Sequence, residues 1–414
     1  MTRAILVICD GLRDDLVTPE ACPHISEFAA TACRFRRQQA VFPSVTRVSV
    51  ASIATGCRPA RHGLQGNKIA LDEGAGLVVR DAGKPDFREQ LRRATGRTLH
   101  APTLAERLAE HGGVIAFANG SPGAAYLHDP DGFGEVHHRA GSFGPGLVDL
   151  APLSVVPGAK GDRPMTEQFC TEILGERQPA LAVLWLSEPD RTAHDFGLGS
   201  PEHRAAITTA DGCVGLVVEA ARRLSAAGED LLLVVGADHG METIERVVEP
   251  TPLLVAAGLK ESSESTDVVV VPQGSAGLIY LSEHGQARQT AIADWLRGQD
   301  WVDRLFVGDQ LADAHLGAAN GLAIAFGASW SNGANEFGVP GVTCNLEKQR
   351  QATHGGFGRY ETNPFLIVGG GGFASGTTTS VPTSVIDLAP TILRHLGRPH
   401  DDLDGHPLPQ TSSG

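Results

Sequence analysis

The chain has 414 residues, of which 42% are hydrophobic and 20% are charged, and its formal net charge is −14. This length accommodates a large core with a smaller subdomain, whereas the acidic balance argues against a protein that coats nucleic-acid polymers. The first residues lack the apolar stretch of about 7–15 residues that a secretory signal needs, and no run approaches the ~20 apolar residues of a membrane span. We therefore expect a cytoplasmic protein without a membrane partner, and the sequence leaves its oligomeric state open.

Short apolar runs alternate with helix-like stretches along the chain. The runs lie at residues 4–8, 114–118, 182–186, 231–236 and 365–368, and the helical patterns lie at residues 103–110, 201–225 and 385–396. Because the runs are continuous rather than alternating, they predict strands that are buried on both faces. The expected fold class is α/β, with a mainly parallel sheet sandwiched by helices.

Residues 250–347 differ in character from the flanking chain. Runs at 268–271 and 278–281 predict strands, residues 286–297 predict a helix, and residues 312–345 are rich in Gly and Asn. We interpret 250–347 as an inserted α+β lid, so that residues 1–249 and 348–414 form the catalytic core. A charged excursion at residues 66–99 predicts a surface loop with one helix.

Three aspartates follow predicted strands within about two to four residues. They are Asp10, Asp190 and Asp238. In parallel sheets the functional groups gather at the C-terminal ends of the strands. We therefore expect these three carboxylates to meet at one edge of the sheet.

Three histidines accompany the aspartates. His194 lies four residues after Asp190 and thus on the same face of a helical turn, His239 follows Asp238 directly, and His354 lies in a Thr-His-Gly-Gly segment. Three carboxylates and three imidazoles suit two divalent cations, and the imidazoles favour zinc, with manganese or iron as alternatives.

A hydroxyl residue lies between the first aspartate and the others. Thr46 belongs to the segment Phe-Pro-Ser-Val-Thr-Arg at residues 42–47. A threonine hydroxyl is a poor nucleophile at neutral pH, but coordination to a metal lowers its pKa. Thr46 is therefore the candidate nucleophile and a further metal ligand. The adjacent Arg47 is either an anion clamp or a surface arginine in a salt bridge.

The motifs around these residues resemble a known family. The segments at 9–11, 42–46 and 54–56, with Pro59 and His62-Gly63, look like the opening of the alkaline phosphatase superfamily, specifically its nucleotide pyrophosphatase/phosphodiesterase branch, phosphonoacetate hydrolase-like relatives included. The segments at 188–190, 238–241 and 354–355 are similar to its later metal motifs, and 384–392 to its closing segment. The resemblance implies one metal on Asp190, His194 and His354 and another on Asp10, Asp238 and His239, with Thr46 facing the second.

One position departs from the pattern of the family. Relatives carry an Asn three residues after the nucleophile, where it donates to a phosphate oxygen, and this chain has Ser49 there. Either Ser49 reaches the phosphate through water or Arg47 supplies the positive group. Asn67 and Lys68 follow a His-Gly-Leu segment where relatives place a substrate-facing Asn, so both are candidate substrate-binding residues.

These residues predict a two-metal phosphohydrolase with Thr46 as nucleophile, first of all a phosphodiesterase or nucleotide pyrophosphatase acting on a small phosphorus-containing substrate. A phosphonate hydrolase of the phosphonoacetate type, which cleaves a carbon–phosphorus bond, is the first alternative. A phosphomonoesterase and a non-catalytic metal-binding protein are the others. Diester, pyrophosphate and phosphonate need the same metals and nucleophile, so the sequence leaves the leaving group open.

Overall fold

The computed structural model describes residues 1–74, 76–347 and 350–410. Within this part of the chain the largest sheet has ten strands, five of which carry the core: β1 (Thr2–Cys9), β2 (Val114–Ala118), β3 (Leu181–Leu186), β4 (Asp230–Gly236) and β5 (Leu366–Gly370). The spatial order is Thr377–Thr379, Cys33–Phe35, β5, β4, β1, β3, β2, Glu135–His137, Ser142–Gly144 and Val148–Leu150. Strands β4, β1, β3 and β2 pair in parallel, whereas β5 runs antiparallel to β4. The predicted mainly parallel sheet is confirmed, and it is a mixed sheet.

Strand β1 shows why the apolar runs are continuous. Ile5 and Val7 pack into one hydrophobic cluster, whereas their neighbours Leu6 and Ile8 pack into a second cluster. Successive side chains of a strand point to opposite faces, so both faces of the sheet are buried. Each aliphatic side chain removed from water in this way contributes about 1.5–3 kcal/mol to folding.

Helices supply the layers that cover the two faces. The long helix Pro201–Ala226 packs on the Ile5 face, and the helices Thr46–Thr55 and Leu388–His395 pack on the Leu6 face. The remaining α-helices are Pro23–Ala29, Pro59–His62, Phe87–Thr95, Leu104–Leu108, Pro122–Tyr126, Ala159–Gln168, Asp190–Phe196, Pro250–Ala256 and Gln289–Arg297. None of the helices in the described residues combines the length and apolar character needed to cross a bilayer.

The region predicted as an insert contains its own antiparallel sheet. Its strands, in spatial order, are Val268–Pro272, Ala276–Leu281, Leu322–Ala328 and Val302–Val307. A second small sheet crosses the predicted boundaries, with the order Trp330–Ala334, Pro340–Asn345, Glu242–Val247 and Ala352–Thr353. The division at residues 249 and 348 stays a prediction. Residues 75, 348, 349 and 411–414 of the predicted core lie outside the described residues.

The excursion at residues 66–99 differs from the expected surface loop. It contains the hairpin Lys68–Asp72 and Leu77–Asp81 as well as the helix Phe87–Thr95. Ile69, Ala70 and Leu71 are fully buried, so the hairpin is part of the folded body. A further short pair joins Gln38–Gln39 to Thr383–Ser384.

Candidate active site

The three aspartates lie at the C-terminal ends of neighbouring parallel strands. Asp10 follows β1 directly, Asp238 lies two residues beyond β4, and Asp190 begins the helix Asp190–Phe196 that follows β3. The backbone N–H of Asp190 donates to the carbonyl of Asp10 over 3.0 Å, which ties two of these strand ends together. The sheet therefore brings the three carboxylates to one edge.

Asp10, Asp238 and His239 form one compact group with ligand atoms within 4.8 Å of one another. Nε2 of His239 lies 3.5 Å from Oδ1 of Asp10 and 3.2 Å from Oδ2 of Asp238. Thr46 borders this group, because its Oγ1 lies 3.1 Å from the same Nε2. All four side chains are buried.

Asp190 is the centre of the second group. Its Oδ1 lies 3.4 Å from Nε2 of His194 and 3.4 Å from Nε2 of His354. His239 also reaches this group: its ring stacks on that of His354 with 3.7 Å between centroids, and its ligand atom lies within 4.8 Å of those of Asp190 and His354. The two groups are therefore contiguous, with His239 between them.

Each aspartate keeps one buried oxygen without a hydrogen-bond partner among the described residues. These atoms are Oδ1 of Asp10, Oδ1 of Asp190 and Oδ2 of Asp238. Burial, together with the carboxylates of Asp238 and Asp190, raises the pKa of Asp10 well above its usual value, and burial likewise raises the pKa of Asp238. Three buried anionic oxygens without partners are strongly unfavourable unless cations compensate them. The donor set thus fits divalent metals.

The other oxygens of two of these carboxylates are used for positioning. Indole Nε1 of Trp185 donates to Oδ2 of Asp10 over 3.1 Å, and the backbone N–H of Gly11 donates to Oδ1 of Asp238 over 3.2 Å. Such outer contacts orient ligands and leave the remaining oxygen directed at the centre.

The three imidazoles are oriented in the same way. Nδ1 of His194, His239 and His354 lies 2.7, 2.9 and 2.8 Å from the backbone carbonyls of Ala352, Gly240 and Ser44, respectively. A donated Nδ1–H leaves a lone pair on Nε2, which is the tautomer that binds a metal. Burial lowers the pKa of His194 and of His354. Both rings are therefore neutral and able to act as ligands.

A cavity of about 670 Å³ opens beside these groups. Thr46, at the start of the helix Thr46–Thr55, lines this cavity, and the positive end of the helix favours a developing negative charge there. Part of its wall comes from the predicted lid, namely Pro272, Gln273, Gly274, Asn345 and Glu347. The cavity is large enough for a small-molecule substrate.

Arg47, Asn67 and Lys68 all line this cavity. The backbone N–H of Arg47 donates to Oδ1 of Asn67 over 3.0 Å, so the amide fixes the helix start that carries Thr46. Nζ of Lys68 lies 2.8 Å from Oε1 of Glu347. Lys68 therefore has a carboxylate partner at the rim, whereas no ion pair is found for Arg47 among the described residues.

Ser49 does not line the cavity. It is fully buried outside the cavity lining, and its hydroxyl donates to the backbone carbonyl of Asp238 over 3.3 Å. That bond holds the Asp238 turn against the Thr46 helix. The hydroxyl donates its proton there, so Ser49 supports the turn that carries Asp238, and its contact with substrate through water stays a prediction.

The loop that follows β2 and the arginine bound to it were not predicted from the sequence to line the cavity. Asn119, Gly120 and Ser121 line the cavity, and so does Arg139. The run at residues 114–118 predicted β2, so polar residues at its C-terminal end were the available signal for the loop. Arg139 follows the short strand Glu135–His137, about twenty residues beyond that loop, and carries no such signal.

The hydrogen bonds of Asp162 support the turn that carries Asp190. Its carboxylate accepts from the backbone N–H groups of Ser187 and Glu188 over 2.9 and 3.2 Å, and from Nδ2 of Asn119 over 2.8 Å. Burial raises the pKa of Asp162 to about 7. This buried residue thus links the loop after β2 to the loop after β3.

The sequence is similar to a known protein family and to one of its human members. The family described as type I phosphodiesterase / nucleotide pyrophosphatase matches residues 4–299. Human ectonucleotide pyrophosphatase/phosphodiesterase family member 7 is 36% identical over 66 residues, which are 16% of this chain and 14% of that protein. Because that match spans so little of the human protein, it says little about the remainder of either chain.

Solved structures of low sequence identity share the fold. Murine ectonucleotide pyrophosphatase/phosphodiesterase 5 aligns over 98% of this chain and 97% of its own with a TM-score of 0.71 and 17% identity, and so does its inactive threonine-to-alanine variant in complex with AMP. The human counterpart aligns over the same shares with a TM-score of 0.70 and 16% identity.

Proposed function

Because this chain belongs to the type I phosphodiesterase / nucleotide pyrophosphatase family, we propose that it is a two-metal phosphohydrolase. It cleaves a phosphodiester or pyrophosphate bond of a small molecule, with Thr46 as the nucleophile. Asp190, His194 and His354 hold one divalent cation, and Asp10, Asp238 and His239 hold the other. Zinc is the metal that suits this mixture of imidazole and carboxylate.

One observation carries this proposal. The hydroxyl of Thr46 lies 3.1 Å from Nε2 of His239, at the border of a cluster in which three carboxylate oxygens are buried without hydrogen-bond partners. A hydroxyl beside a cluster of unsatisfied anionic oxygens is suited to metal-assisted attack. A structural threonine would instead direct its hydroxyl to a backbone carbonyl, as Thr55 does towards Ala51 over 2.7 Å.

The chain's own residues account for the remaining chemistry. Divalent cations held by these ligands would lower the pKa of the Thr46 hydroxyl and would stabilise negative charge on the attacking and leaving oxygens. The Thr46 hydroxyl releases its proton to solvent, Oγ1 attacks phosphorus in line, and the bond to the leaving oxygen breaks as that oxygen takes up a proton. A phosphoryl ester thereby forms on Thr46. Water then attacks the same phosphorus from the vacated side, which releases the product and restores the hydroxyl.

Arg47 and the Thr46 helix position the transferring group in this scheme. The guanidinium of Arg47 lines the cavity next to the nucleophile and can donate two parallel hydrogen bonds to a phosphoryl group. The start of the helix adds partial positive charge at the same point. Both features act on the negative charge of the phosphoryl oxygens.

The experiment is a pair of matched substitutions on one helix. Thr46→Ala removes the nucleophilic oxygen and is expected to lower kcat/KM for bis(p-nitrophenyl) phosphate at least about a thousandfold, with both equivalents of metal retained. Thr46→Ser retains part of the activity. The control, Thr55→Ala, removes a buried hydroxyl at the other end of the helix and is expected to keep near-normal turnover. A Thr46→Ala protein as active as the control would show that water attacks directly.

A further inference from the structure

The cavity is rich in positive charge although the whole chain is acidic. Its wall includes six basic side chains: Arg47, Lys68, Lys84, Arg139, Arg191 and Arg350. Apart from the proposed metal ligands, three acids line it, and one of them, Glu347, pairs with Lys68. The wall beyond the metal centre therefore carries an excess of positive charge that a neutral leaving group would not compensate.

The same wall offers little to a nucleobase. Of the residues that the structure describes, those lining the cavity include no phenylalanine, tyrosine or tryptophan. Bases are usually held by stacking on such rings, which contributes about 1–3 kcal/mol per base. The apolar lining side chains are Val45, Pro122 and Pro272, and they provide no comparable flat surface.

Arg139 is held rigidly on the loop after β2. Its NH1 group donates to the carbonyl and to Oδ1 of Asn119 over 2.7 and 3.0 Å, and to the carbonyl of Gly120 over 3.0 Å. Its Nε and NH2 groups have no hydrogen-bond partner among the described residues. One end of the guanidinium thus anchors the group, and the other end is available to an anion.

The anchoring loop connects Arg139 to the reaction centre. A Cβ placed on Gly120 would lie 4.0 Å from Oδ2 of Asp10, so the loop lies against the metal cluster. On the other side of the loop, Nε of Arg47 lies 3.1 Å from Oγ of Ser121. Two guanidinium groups therefore flank one three-residue loop, with Arg47 next to the nucleophile and Arg139 farther along the wall.

Arg139 forms no ion pair among the described residues. Burial together with the neighbouring Arg191 lowers its pKa, and the carboxylate of Asp162 opposes this effect only in part. A partly buried guanidinium that lacks an ion pair is stabilised when an anion binds to it.

We infer that Arg139 is a specificity-determining residue that binds a second anionic group of the substrate, a carboxylate or a further phosphate, while the phosphoryl group lies at Thr46. The substrate class is thus a compact phosphorus compound with two anionic ends rather than a nucleotide held by its base. This inference rests on the proposed function, because it takes Thr46 and the metal cluster as the place of the phosphoryl group.

The test measures binding where turnover is removed. Zinc-loaded Thr46→Ala protein is titrated by calorimetry with phosphonoacetate, with its neutral amide phosphonoacetamide, with methylenebisphosphonate and with AMP. A charge-assisted contact to Arg139 predicts a Kd for phosphonoacetate or methylenebisphosphonate at least about tenfold below that of the amide. The tighter of the two identifies the second anion as a carboxylate or a phosphate.

Substitutions then assign the preference to one residue. Adding Arg139→Gln should make the Kd values of phosphonoacetamide and of the tighter doubly anionic ligand about equal. Adding Arg139→Lys retains the positive charge and should keep part of the preference for the anionic ligand. The control, Arg222→Gln, removes an exposed arginine that pairs with Glu27 and should keep the full ratio. Equal binding of acid and amide, or a preference that survives Arg139→Gln, overturns the inference. The inference is also overturned if AMP has a lower Kd than both phosphonoacetate and methylenebisphosphonate and if Arg139→Gln does not change that Kd.

Failure of the proposed function gives a different result. If wild-type protein binds no metal, or if it hydrolyses phosphate esters independently of Thr46, the proposed function is wrong and the inference falls with it. If hydrolysis depends on Thr46 but the carboxylate brings no advantage in binding, the specificity assignment alone is wrong.

Discussion

Replacing His354 by alanine tests both the metal chemistry and the path of the chain. Nε2 of His354 lies 3.4 Å from Oδ1 of Asp190, yet the residue lies more than 100 positions beyond Asp238 in the sequence. It reaches the site because the preceding strand Ala352–Thr353 pairs with Glu242 and Thr243, a few residues beyond His239. His354→Ala should therefore weaken the metal on Asp190 and His194 and leave Asp10, Asp238 and His239 in place.

His354→Ala should lower both the affinity for one metal and the stability of the fold. Loss of residues that merely orient ligands lowers metal affinity 10–100-fold, so loss of a ligand should cost at least about 100-fold, or about 2.8 kcal/mol at 1.4 kcal/mol per tenfold. The carbonyl of Ser44 also loses its partner Nδ1–H, which lowers the free energy of unfolding by about 1–3 kcal/mol.

The assay is elemental analysis of protein dialysed against nanomolar zinc, followed by turnover measured across a zinc titration. His203→Ala is the matched control, because His203 is equally buried and hydrogen-bonds to the backbone N–H of Gly199 away from the cluster. The expected His354→Ala protein holds about one equivalent of zinc and recovers part of its activity in excess zinc. A variant that keeps two tightly bound metals and normal turnover would place His354 outside the site.

Three further predictions follow from the buried groups. Chelation should abolish activity and lower Tm by about 5–10 °C, because each metal bound at 100 times its Kd contributes about 2.7 kcal/mol to stability; an unchanged Tm and full activity after chelation would contradict the metal assignment. Burial and Glu361 raise the pKa of Glu242 to about 9, above its ordinary value of 4.5. The native state therefore binds more protons between these values, and stability falls as pH rises through that window. The glutamine of Glu242→Gln cannot titrate. The free energy of unfolding of this variant, measured by urea denaturation, should therefore rise relative to that of wild type by at least about 1 kcal/mol between pH 6 and pH 9. A difference between the two proteins that does not change with pH would refute the raised pKa. Ser49→Ala should lower stability by about 1 kcal/mol through the lost bond to the Asp238 carbonyl and leave KM unchanged, whereas a large rise in KM would show contact with substrate.

Much of the core could be predicted because its strands are buried on both faces. Runs such as residues 231–236 are apolar throughout, which distinguishes them from half-exposed strands. Once these strands are taken as parallel, the aspartates that follow them must meet at one edge. The antiparallel direction of β5 was not predictable in the same way, since a buried strand has the same composition in either direction.

The hairpin at Lys68–Asp72 and Leu77–Asp81 shows where the pattern is insufficient. Charged residues interrupt the segment, and its buried side chains are covered by residues distant in sequence. One such contact is a pair of hydrogen bonds from Gln273, whose Oε1 accepts from the N–H of Asn67 over 2.7 Å and whose Nε2 donates to the carbonyl of Lys68 over 2.6 Å. Nothing in the local sequence specifies a partner more than 200 positions away.

Some site residues could likewise be predicted from the local sequence, whereas others depend on distant contacts. The proposed ligands could be named from residue type and position after a strand, but His239 lies between the two groups in a way that spacing does not reveal. Ser49 follows Thr46 by about one helical turn, which suggests a shared face, yet its short side chain reaches the carbonyl of Asp238 and not the cavity. Arg139 lines the cavity because it hydrogen-bonds to the backbone of Asn119 and Gly120, and its sequence neighbours do not indicate these contacts.

The central claim is that Thr46 works at a two-metal centre, and the most direct measurement relates activity to metal occupancy. Metal-free protein is titrated with zinc while bound zinc and the hydrolysis of bis(p-nitrophenyl) phosphate are followed on the same samples. We expect two tight equivalents, with activity rising to its plateau only as the second site fills, and no activity at any occupancy for Thr46→Ala. Full activity at zero metal, or a plateau reached by Thr46→Ala, would contradict it.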